Sequence, residues 1–273
     1  MGLFNIFDPA LNFILGPILK IPTIFGLFLI SLLITLIITV IYKYTTDQEL
    51  LKNVRDKQKK LQEEMRKNRD NPKKVMKLQK EAFSHSGDMM RESFKSMLYT
   101  FIPIIILFGW IATHFAFYPL QVGQETNVTL FLKKGTSGDM TITVPEEIKL
   151  ISEKTVKVNG ESEVNFIISP QKEGDFKISV VYNNQFVDKK IVVGSGDSNI
   201  KQTKMKMTWI DYIYGSSEGY VESDSIYQLK VDYNVIRPFG NFSFLGWHPG
   251  WLGTYIIFSL ILSILIRKLM NVY

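Results

Sequence analysis

Three apolar stretches, each long enough to cross a lipid bilayer, constrain this chain more than any other feature of its sequence. They occupy residues 21–42, 97–118 and 251–270, and none contains an acidic residue. At about 1.5 Å rise per residue, each helix would reach roughly 30–33 Å, the thickness of a hydrocarbon core. The first stretch is longer than the apolar region of a signal peptide, and no small-residue cleavage site follows it. The sequence therefore predicts an α-helical membrane protein with three retained transmembrane helices.

Basic residues are concentrated between the first two predicted spans. Residues 43–95 carry 15 Lys and Arg against 9 Asp and Glu, whereas residues 119–246 carry 14 basic and 16 acidic residues. Because short loops rich in Lys and Arg stay in the cytoplasm, we expect residues 43–96 and the C-terminus inside the cell, and the N-terminus and residues 119–246 outside it. The two glycosylation candidates, Asn127 and Asn241, both fall in the predicted outer segment.

The first two segments outside the spans have distinct helical patterns. Residues 1–20 are apolar but interrupted by Pro9, Gly16 and Pro17, which predicts an interfacial helix on the outer surface. The alternative is a simple extension of the first span.

Residues 43–96 predict a cytosolic antiparallel helical hairpin that turns at Asn71-Pro72. Its coiled-coil seam repeats at spacings of three and four residues: Leu51, Val54, Gln58, Leu61 and Met65, then Val75, Leu78, Ala82, His85 and Met89.

Residues 119–246 change to two-residue alternation in short runs rich in Val, Ile, Thr and Phe. We expect strands at VTLFL, MTITV, TVKV, EVNFIIS, DFKISVVY and DKKIVV, with one or two more in MKMTWIDYIYG and SIYQLKVDYNV. Turns containing Gly, Asn and Asp separate them. The pattern predicts an inserted extracellular all-β domain, an immunoglobulin-like sandwich. Residues 247–273 then form the third span and a cytosolic tail.

Catalytic and metal-binding motifs are missing from the sequence. There are no cysteines, and His85, His114 and His248 are not spaced as metal ligands. No nucleophile elbow, phosphate-binding loop or zinc-protease motif occurs. We therefore predict a protein that is not an enzyme, holds no metal or cofactor and does not bind DNA directly.

Polar residues recur at helical spacing within the predicted spans. They are Ser31, Thr35 and Thr39 in the first span, Ser96 and Thr100 at the second, and Ser259, Ser263 and Arg267 in the third. Each set shares one helix face, in the predicted cytoplasmic half. If the faces converge, they form a polar groove open to the cytosol. The alternative is that the hydroxyls bond their own i−4 carbonyls and allow close helix packing.

The order of these elements resembles the YidC/Oxa/Alb superfamily of membrane-protein insertases. The segments FIPIIILFGWIATHFAFYPL and FLGWHPGWLGTYIIFSLILSILIRKLM resemble its archaeal branch, which is similar to the insertase subunit of the endoplasmic reticulum membrane complex. The resemblance covers roughly residues 1–120 and 240–273 and leaves out the β-domain. Together with the two sequons and the absence of cysteines from the predicted outer segment, this resemblance implies an archaeal plasma membrane.

The resemblance implies an insertase and chaperone that receives hydrophobic segments of nascent membrane proteins at a cytosol-open groove and releases them into the bilayer. Implied partners are nascent membrane proteins, a ribosome at the basic hairpin and small membrane subunits. The hairpin would offer substrates a soft surface through Met65, Met76, Met89 and Met90. Bacterial members carry a basic residue on the first core span, and residues 21–42 contain none.

Two other classes of function fit parts of the sequence. A surface receptor or adhesion protein would bind its ligand through the outer β-domain and use the spans as anchors. A small channel or lipid scramblase would use the same polar stripes. The largely apolar outer halves of the spans argue against a continuous pore.

Overall fold

The computed structural model describes residues 5–194, 200, 202–204, 217–220, 225–243 and 246–272. The chain divides into two compact units. One consists of Met1–Gly26 and Ile105–Thr254, and the other of Leu27–Ile104 and Tyr255–Tyr273.

The apolar and basic segments form α-helices. Within the described ranges these are α1 (Asp8–Leu15), α2 (Thr23–Thr45), α3 (Gln48–Lys67), α4 (Pro72–Phe115) and α5 (Trp251–Leu269), with 3-10 turns at Asn5–Phe7 and Gly16–Lys20. Helices α2, α4 and α5 are long and apolar enough to cross a membrane. The three spans predicted from the sequence thus correspond to three helices.

The hairpin arms begin at well-defined caps. The Asp47 carboxylate accepts a hydrogen bond of 2.9 Å from the Leu50 N–H at the start of α3. At the start of α4, the Asn71 side-chain oxygen accepts one of 3.2 Å from the Lys74 N–H. Helix α4 then runs for 44 residues, through Pro103, to Phe115. The second arm and the second span are therefore one helix, about 66 Å long at 1.5 Å per residue.

A narrow apolar seam joins α3 to α4. Leu51, Val54 and Leu61 of α3 and Leu78 of α4 are buried. The Gln58 amide donates a hydrogen bond of 3.0 Å to the Ser86 hydroxyl across the seam. The side chain of His85, another predicted seam position, lies outside the described part of the structure.

The strands form two sheets. In the described ranges they are β1 (Thr126–Leu132), β2 (Ser137–Thr143), β3 (Ile148–Leu150), β4 (Thr155–Asn159), β5 (Glu163–Pro170), β6 (Gly174–Tyr182), β7 (Gln185–Val193), β8 (Gln202–Lys204), β9 (Ser217–Tyr220) and β10 (Ile226–Val231). Their orders are β3-β5-β1-β10-β8-β9 and β4-β2-β6-β7. All pairs are antiparallel except β8 with β9. The strand predicted in MKMTWIDYIYG lies outside the described residues.

Both sheets contribute to one hydrophobic core. Alternate side chains of several strands lie in it, among them Leu130 of β1, Phe166 of β5 and Ile178 of β6. The turn between β6 and β7 is made by Asn183 and Asn184, with φ of 46° and 60°. A two-residue turn with positive φ at both positions matches the twist of the strands it joins. The sequence prediction of a separate all-β domain built from antiparallel sheets is confirmed.

The connections from the helices into the β-domain lie side by side. Phe117 and Val235 form an antiparallel bridge. Hydrogen bonds flank it on both sides: the Tyr118 N–H donates to the Asn234 carbonyl at 2.8 Å, and the Ile236 N–H donates to the Ala116 carbonyl at 3.0 Å. The domain therefore leaves and returns to the helices at one place.

The N-terminal helix is fastened to the same unit. The Trp110 indole N–H donates a hydrogen bond of 2.6 Å to the Asn12 side-chain oxygen, and Leu15 is buried. Ile6, Phe13 and Ile14 are exposed. An apolar surface on a short helix is what an interfacial position in a membrane requires.

Candidate functional site

Helix α2 carries a buried polar stripe. Ser31, Thr35 and Thr39 lie on one face and are at most 4% exposed. Each hydroxyl donates to the carbonyl four residues earlier in the helix, at 2.7, 2.6 and 2.7 Å respectively. The hydroxyl hydrogens are thus used within the helix, whereas the oxygen lone pairs stay available to a neighbour.

A cavity of about 210 Å³ lies between α2 and α5. Its lining includes Thr35 and Thr39 of α2 and Ser259, Ser263 and Arg267 of α5. Two of the three polar stripes therefore meet in one place. We call this space the polar cavity.

Three predicted groove residues do not line the polar cavity. Ser31 of α2 and Ser96 and Thr100 of α4 are buried, but they are not among the residues that line it. The Thr100 hydroxyl lies 3.2 Å from the Ser96 carbonyl and 3.1 Å from the Met97 carbonyl of its own helix. In α4 the polar stripe thus has the geometry of self-bonded hydroxyls.

One end of the polar cavity is positively charged. The Arg267 guanidinium lies 4.9 Å from the centre of the Tyr42 ring, a distance at which a cation is attracted to the ring face. The Lys43 ammonium donates a hydrogen bond of 3.0 Å to the Met270 carbonyl, which holds the end of α2 against the end of α5. The first span has no basic residue, so the charge at this cavity comes from the third.

Helix α4 presents exposed apolar side chains at intervals of seven residues. Met76, Phe83, Met90 and Met97 are 57%, 81%, 74% and 57% exposed, and Phe94 adjoins them. Seven residues are close to two helical turns, so these side chains form one row. We call this row the α4 ladder. It starts in the charged arm and ends in the apolar part of α4.

Residues 12–156, more than half of the chain, match the model of a family described as integral membrane protein EMC3/TMCO1-like. The chain belongs to this family. The EMC3/TMCO1-like family is part of the YidC/Oxa/Alb insertase-related superfamily, so the resemblance inferred from the sequence is confirmed. With its three apolar helices, this EMC3/TMCO1-like protein is a multi-pass membrane protein. No curated protein matches the chain.

The family match extends from α1 into β4. It includes α2 and the whole of α4, but it ends before α5. The EMC3/TMCO1-like region thus supplies one wall of the polar cavity and the α4 ladder, and the other wall follows the β-domain.

The methionines predicted as substrate contacts of this EMC3/TMCO1-like protein occupy two different positions. Met76 and Met90 are exposed in the α4 ladder, whereas Met65 and Met89 are half-buried at the seam. Phe83 and Phe94 were not predicted, although Phe83 completes the seven-residue spacing between Met76 and Met90. That spacing was the signal that could have identified it.

Further lining residues of the polar cavity were also not predicted. Ile38, Tyr255 and Leu260 contribute apolar surface beside the hydroxyls. Their spacing is that of ordinary helix packing, so only the assembled helices reveal them.

The two sequon asparagines, Asn127 on β1 and Asn241 in a turn, are both exposed.

Proposed function

We propose that this EMC3/TMCO1-like protein is a membrane-protein insertase and chaperone, which takes up hydrophobic segments of nascent proteins at the polar cavity and releases them into the bilayer. The observation that carries the proposal is the convergence of hydroxyl groups and one guanidinium on a single cavity between two otherwise apolar helices. Family membership supports it, because the EMC3/TMCO1-like family is related to insertases. No covalent step is required, and burial of the substrate's apolar surface supplies the driving force.

The cavity chemistry suits the polar flank of an entering segment. The Thr35 and Thr39 oxygens can accept hydrogen bonds from water or from substrate N–H groups, and Arg267 can donate to carboxylates and carbonyls. A charged residue near the centre of a bilayer costs about 2.5–3.5 kcal/mol on insertion scales. Lowering that cost by about 1.4 kcal/mol would speed crossing about tenfold.

The α4 ladder suits the apolar part of the same substrate. Exposed Met and Phe side chains make a surface that adapts to different apolar sequences. Since α4 is one helix from the arm into the span, a segment held at the ladder lies alongside a path toward the bilayer. The ladder is therefore the proposed receiving surface.

Topology follows from the charge distribution. The surplus of Lys and Arg in residues 43–95 supports a cytoplasmic hairpin, with the polar cavity opening to the cytosol and an immunoglobulin-like β-domain outside the plasma membrane of an archaeal cell. Exposed Asn127 and Asn241 are compatible with glycosylation there. The basic hairpin is the proposed contact for a ribosome, and small membrane subunits are the proposed partners.

Site-specific photocrosslinking during synthesis of a small membrane protein tests this function. Probes at Thr35, Thr39 and Ser263 line the polar cavity, and probes at Leu36 and Ile261 on the same helices face outward. We expect crosslinks to the nascent span from the cavity positions and few from the outward positions. Equal crosslinking at both sets, or crosslinks only to lipid, would reject the cavity as the insertion site.

A further inference from the structure

A second cavity lies at the end of α5. It has a volume of about 410 Å³ and is lined by Arg55, Ile264, Arg267, Lys268, Asn271 and Val272. Three of these six residues are cationic and none is acidic. We call it the basic pocket. Arg55 comes from α3, and the remaining residues come from the last turns of α5 and the residues after it.

The basic pocket is held in shape by the way α5 ends. Asn271 adopts φ of 51°, the left-handed conformation that terminates many helices. The Val272 N–H then donates to the Arg267 carbonyl at 2.9 Å. The contacts of Lys43 with Met270 and of Arg267 with Tyr42 fix the same corner to α2.

Among the residues that the structure describes, no carboxylate pairs with the cations of the basic pocket, Arg55, Arg267 and Lys268. Lys59 lies four residues after Arg55, so it shares the same side of α3. The combined field favours an anion.

Apolar surface continues from the basic pocket along α5. Ile264, which lines the pocket, is 72% exposed, and Leu260, one turn earlier, is 62% exposed. The pocket thus joins a cationic end to an exposed apolar helix face. Arg267 and Lys268 lie in the last turn of a membrane-length helix, the level at which lipid headgroups are found.

We propose that the basic pocket binds the phosphate of an anionic phospholipid, with the lipid's acyl chains lying along the exposed face of α5. Arg55 and Lys268 contact the phosphate, and Ile264 contacts the chains. A free phosphate or an RNA phosphate would use the cations alone and would leave the apolar face unused. The proposal does not depend on substrate insertion.

Native mass spectrometry of the detergent-solubilised full chain tests the proposal. The protein is titrated with phosphatidylglycerol or phosphatidylcholine, and the dissociation constant of the first bound lipid is measured for each. We expect phosphatidylglycerol to bind more tightly than phosphatidylcholine. Arg55→Gln with Lys268→Gln should weaken the binding of phosphatidylglycerol by at least about fivefold, because each cation near a headgroup contributes about that factor to the affinity. Arg267 is left unchanged because it also lines the polar cavity.

Two matched variants separate this site from general charge effects. Arg66→Gln with Lys73→Gln removes the same charge at the hairpin tip and should leave lipid binding unchanged. Arg55→Lys with Lys268→Arg keeps the charge and should retain most of the affinity, which excludes misfolding as the cause of a loss. Equal weakening in the tip variant would overturn the proposal.

Competition distinguishes the possible sources of the phosphate. Inorganic phosphate should displace phosphatidylglycerol poorly, because it lacks the acyl chains. Full displacement by inorganic phosphate would show a soluble-anion site instead. Unchanged lipid affinity in the Arg55→Gln, Lys268→Gln variant, together with weaker cosedimentation with ribosomes, would show an RNA contact and also overturn the proposal.

Discussion

Thr35 and Thr39 contribute acceptors rather than donors to the polar cavity. Their hydroxyl hydrogens are bonded to Ser31 and Thr35 carbonyls within α2, which satisfies those donors inside an apolar helix. Arg267, at the other side, contributes donors only. The cavity therefore presents complementary hydrogen-bonding groups on opposite helices.

Removing the acceptors from this cavity should slow insertion. We expect Thr35→Val with Thr39→Val to reduce the insertion rate of a single-span substrate with a charged flank by up to about tenfold. This change corresponds to an insertion barrier that is higher by about 1.4 kcal/mol. Protease protection in proteoliposomes measures the rate. A substrate with an uncharged flank should be affected less.

Ser31→Ala is the matched control for this double substitution. Ser31 belongs to the same stripe and makes the same bond to its i−4 carbonyl, but it does not line the cavity. Its insertion rate should equal that of the unmodified protein. If Ser31→Ala slows insertion as much as the threonine substitutions, the stripe acts through helix packing.

Residue spacing predicted the stripes but could not predict which of them meet. Ser259 and Ser263 share a face of α5 just as Ser96 and Thr100 share a face of α4, and only the α5 pair lines the cavity. The difference is the rotation of each helix about its axis, which depends on packing against other helices. Residue spacing defines the polar face of a single helix, whereas the cavity depends on how two helices pack against each other.

Among the elements, α4 has two apolar faces that differ in burial. One packs on α3 at the seam, and the other is the exposed ladder. We expect Phe83→Ser with Met90→Ser to reduce crosslinking of nascent apolar segments to the arm by at least about tenfold. Each side chain can contribute about 1.5–3 kcal/mol when a substrate covers it. The crosslinked fraction during synthesis is the measurement, with a probe at Met76.

A seam substitution provides the contrast for the ladder. Leu78→Ala removes a buried side chain and should destabilise the hairpin by about 2–4 kcal/mol, whereas the ladder substitutions should leave its thermal stability nearly unchanged. Circular dichroism of the full chain reports both. Loss of hairpin stability in the ladder variant would mean that those side chains are structural.

The β6–β7 hairpin contains a pH-sensitive pair. Burial raises the pKa of Asp188, but the hydrogen bond and charge of Lys177 and the hydrogen bond from Ser179 outweigh it, so the pKa lies below its ordinary value. The Lys177 ammonium is 2.6 Å and the Ser179 hydroxyl 2.7 Å from the carboxylate. A lowered pKa stabilises the folded state above the unfolded-state pKa of about 3.9, and this stabilisation is lost as the pH falls through the folded-state pKa.

Acidification below about pH 4 should therefore lower the calorimetric melting temperature of the β-domain, and Asp188→Asn should reduce that dependence. Lys177→Met with Ser179→Ala removes the groups that lower the pKa of Asp188. This variant should also reduce the pH dependence of the melting temperature, although the carboxylate is still present. A melting temperature in Asp188→Asn that falls as steeply as in the unmodified protein would show that other carboxylates dominate.

Elements with strong local signals were predictable, and weaker ones were not. The asparagine turn between β6 and β7 and the proline at the start of α4 could be read from residue types. Strand β3 could not, because it has three residues, Ile148–Leu150, beside acidic positions. This strand forms because it pairs with β5, where Lys149 lies opposite Ser169. Such pairing depends on residues that are distant in sequence.

At the scale of the whole molecule, the β-domain should be separable from insertion. The polar cavity and the α4 ladder contain no residue of this domain, and its two connections are hydrogen-bonded to each other at Tyr118 and Asn234. We expect replacement of residues 119–233 by a short Gly-Ser turn to leave the insertion rate unchanged. Protease protection with the same single-span substrate measures it.

The outcome of this replacement separates two roles for the domain. An unchanged rate means that the domain is an added module with its own ligand or surface contact. Loss of insertion in a variant that keeps normal helix content means that the domain contacts the substrate. Ligand binding by the β-domain, as in the receptor hypothesis, would then be the next property to measure.

The strand order of the β-domain also bears on how the protein itself is made. Strand β1 is the first to be synthesised, yet it lies between β5 and β10, and β10 is the last described strand before α5. Such distant pairing delays folding until nearly the whole domain has been synthesised. Because only residues 232–250 separate β10 from α5, translation delivers the closing strand shortly before the third span. In our proposed topology and function, a protein that inserts helices of other proteins completes a folding event on the far side of the bilayer while its own last helix is entering.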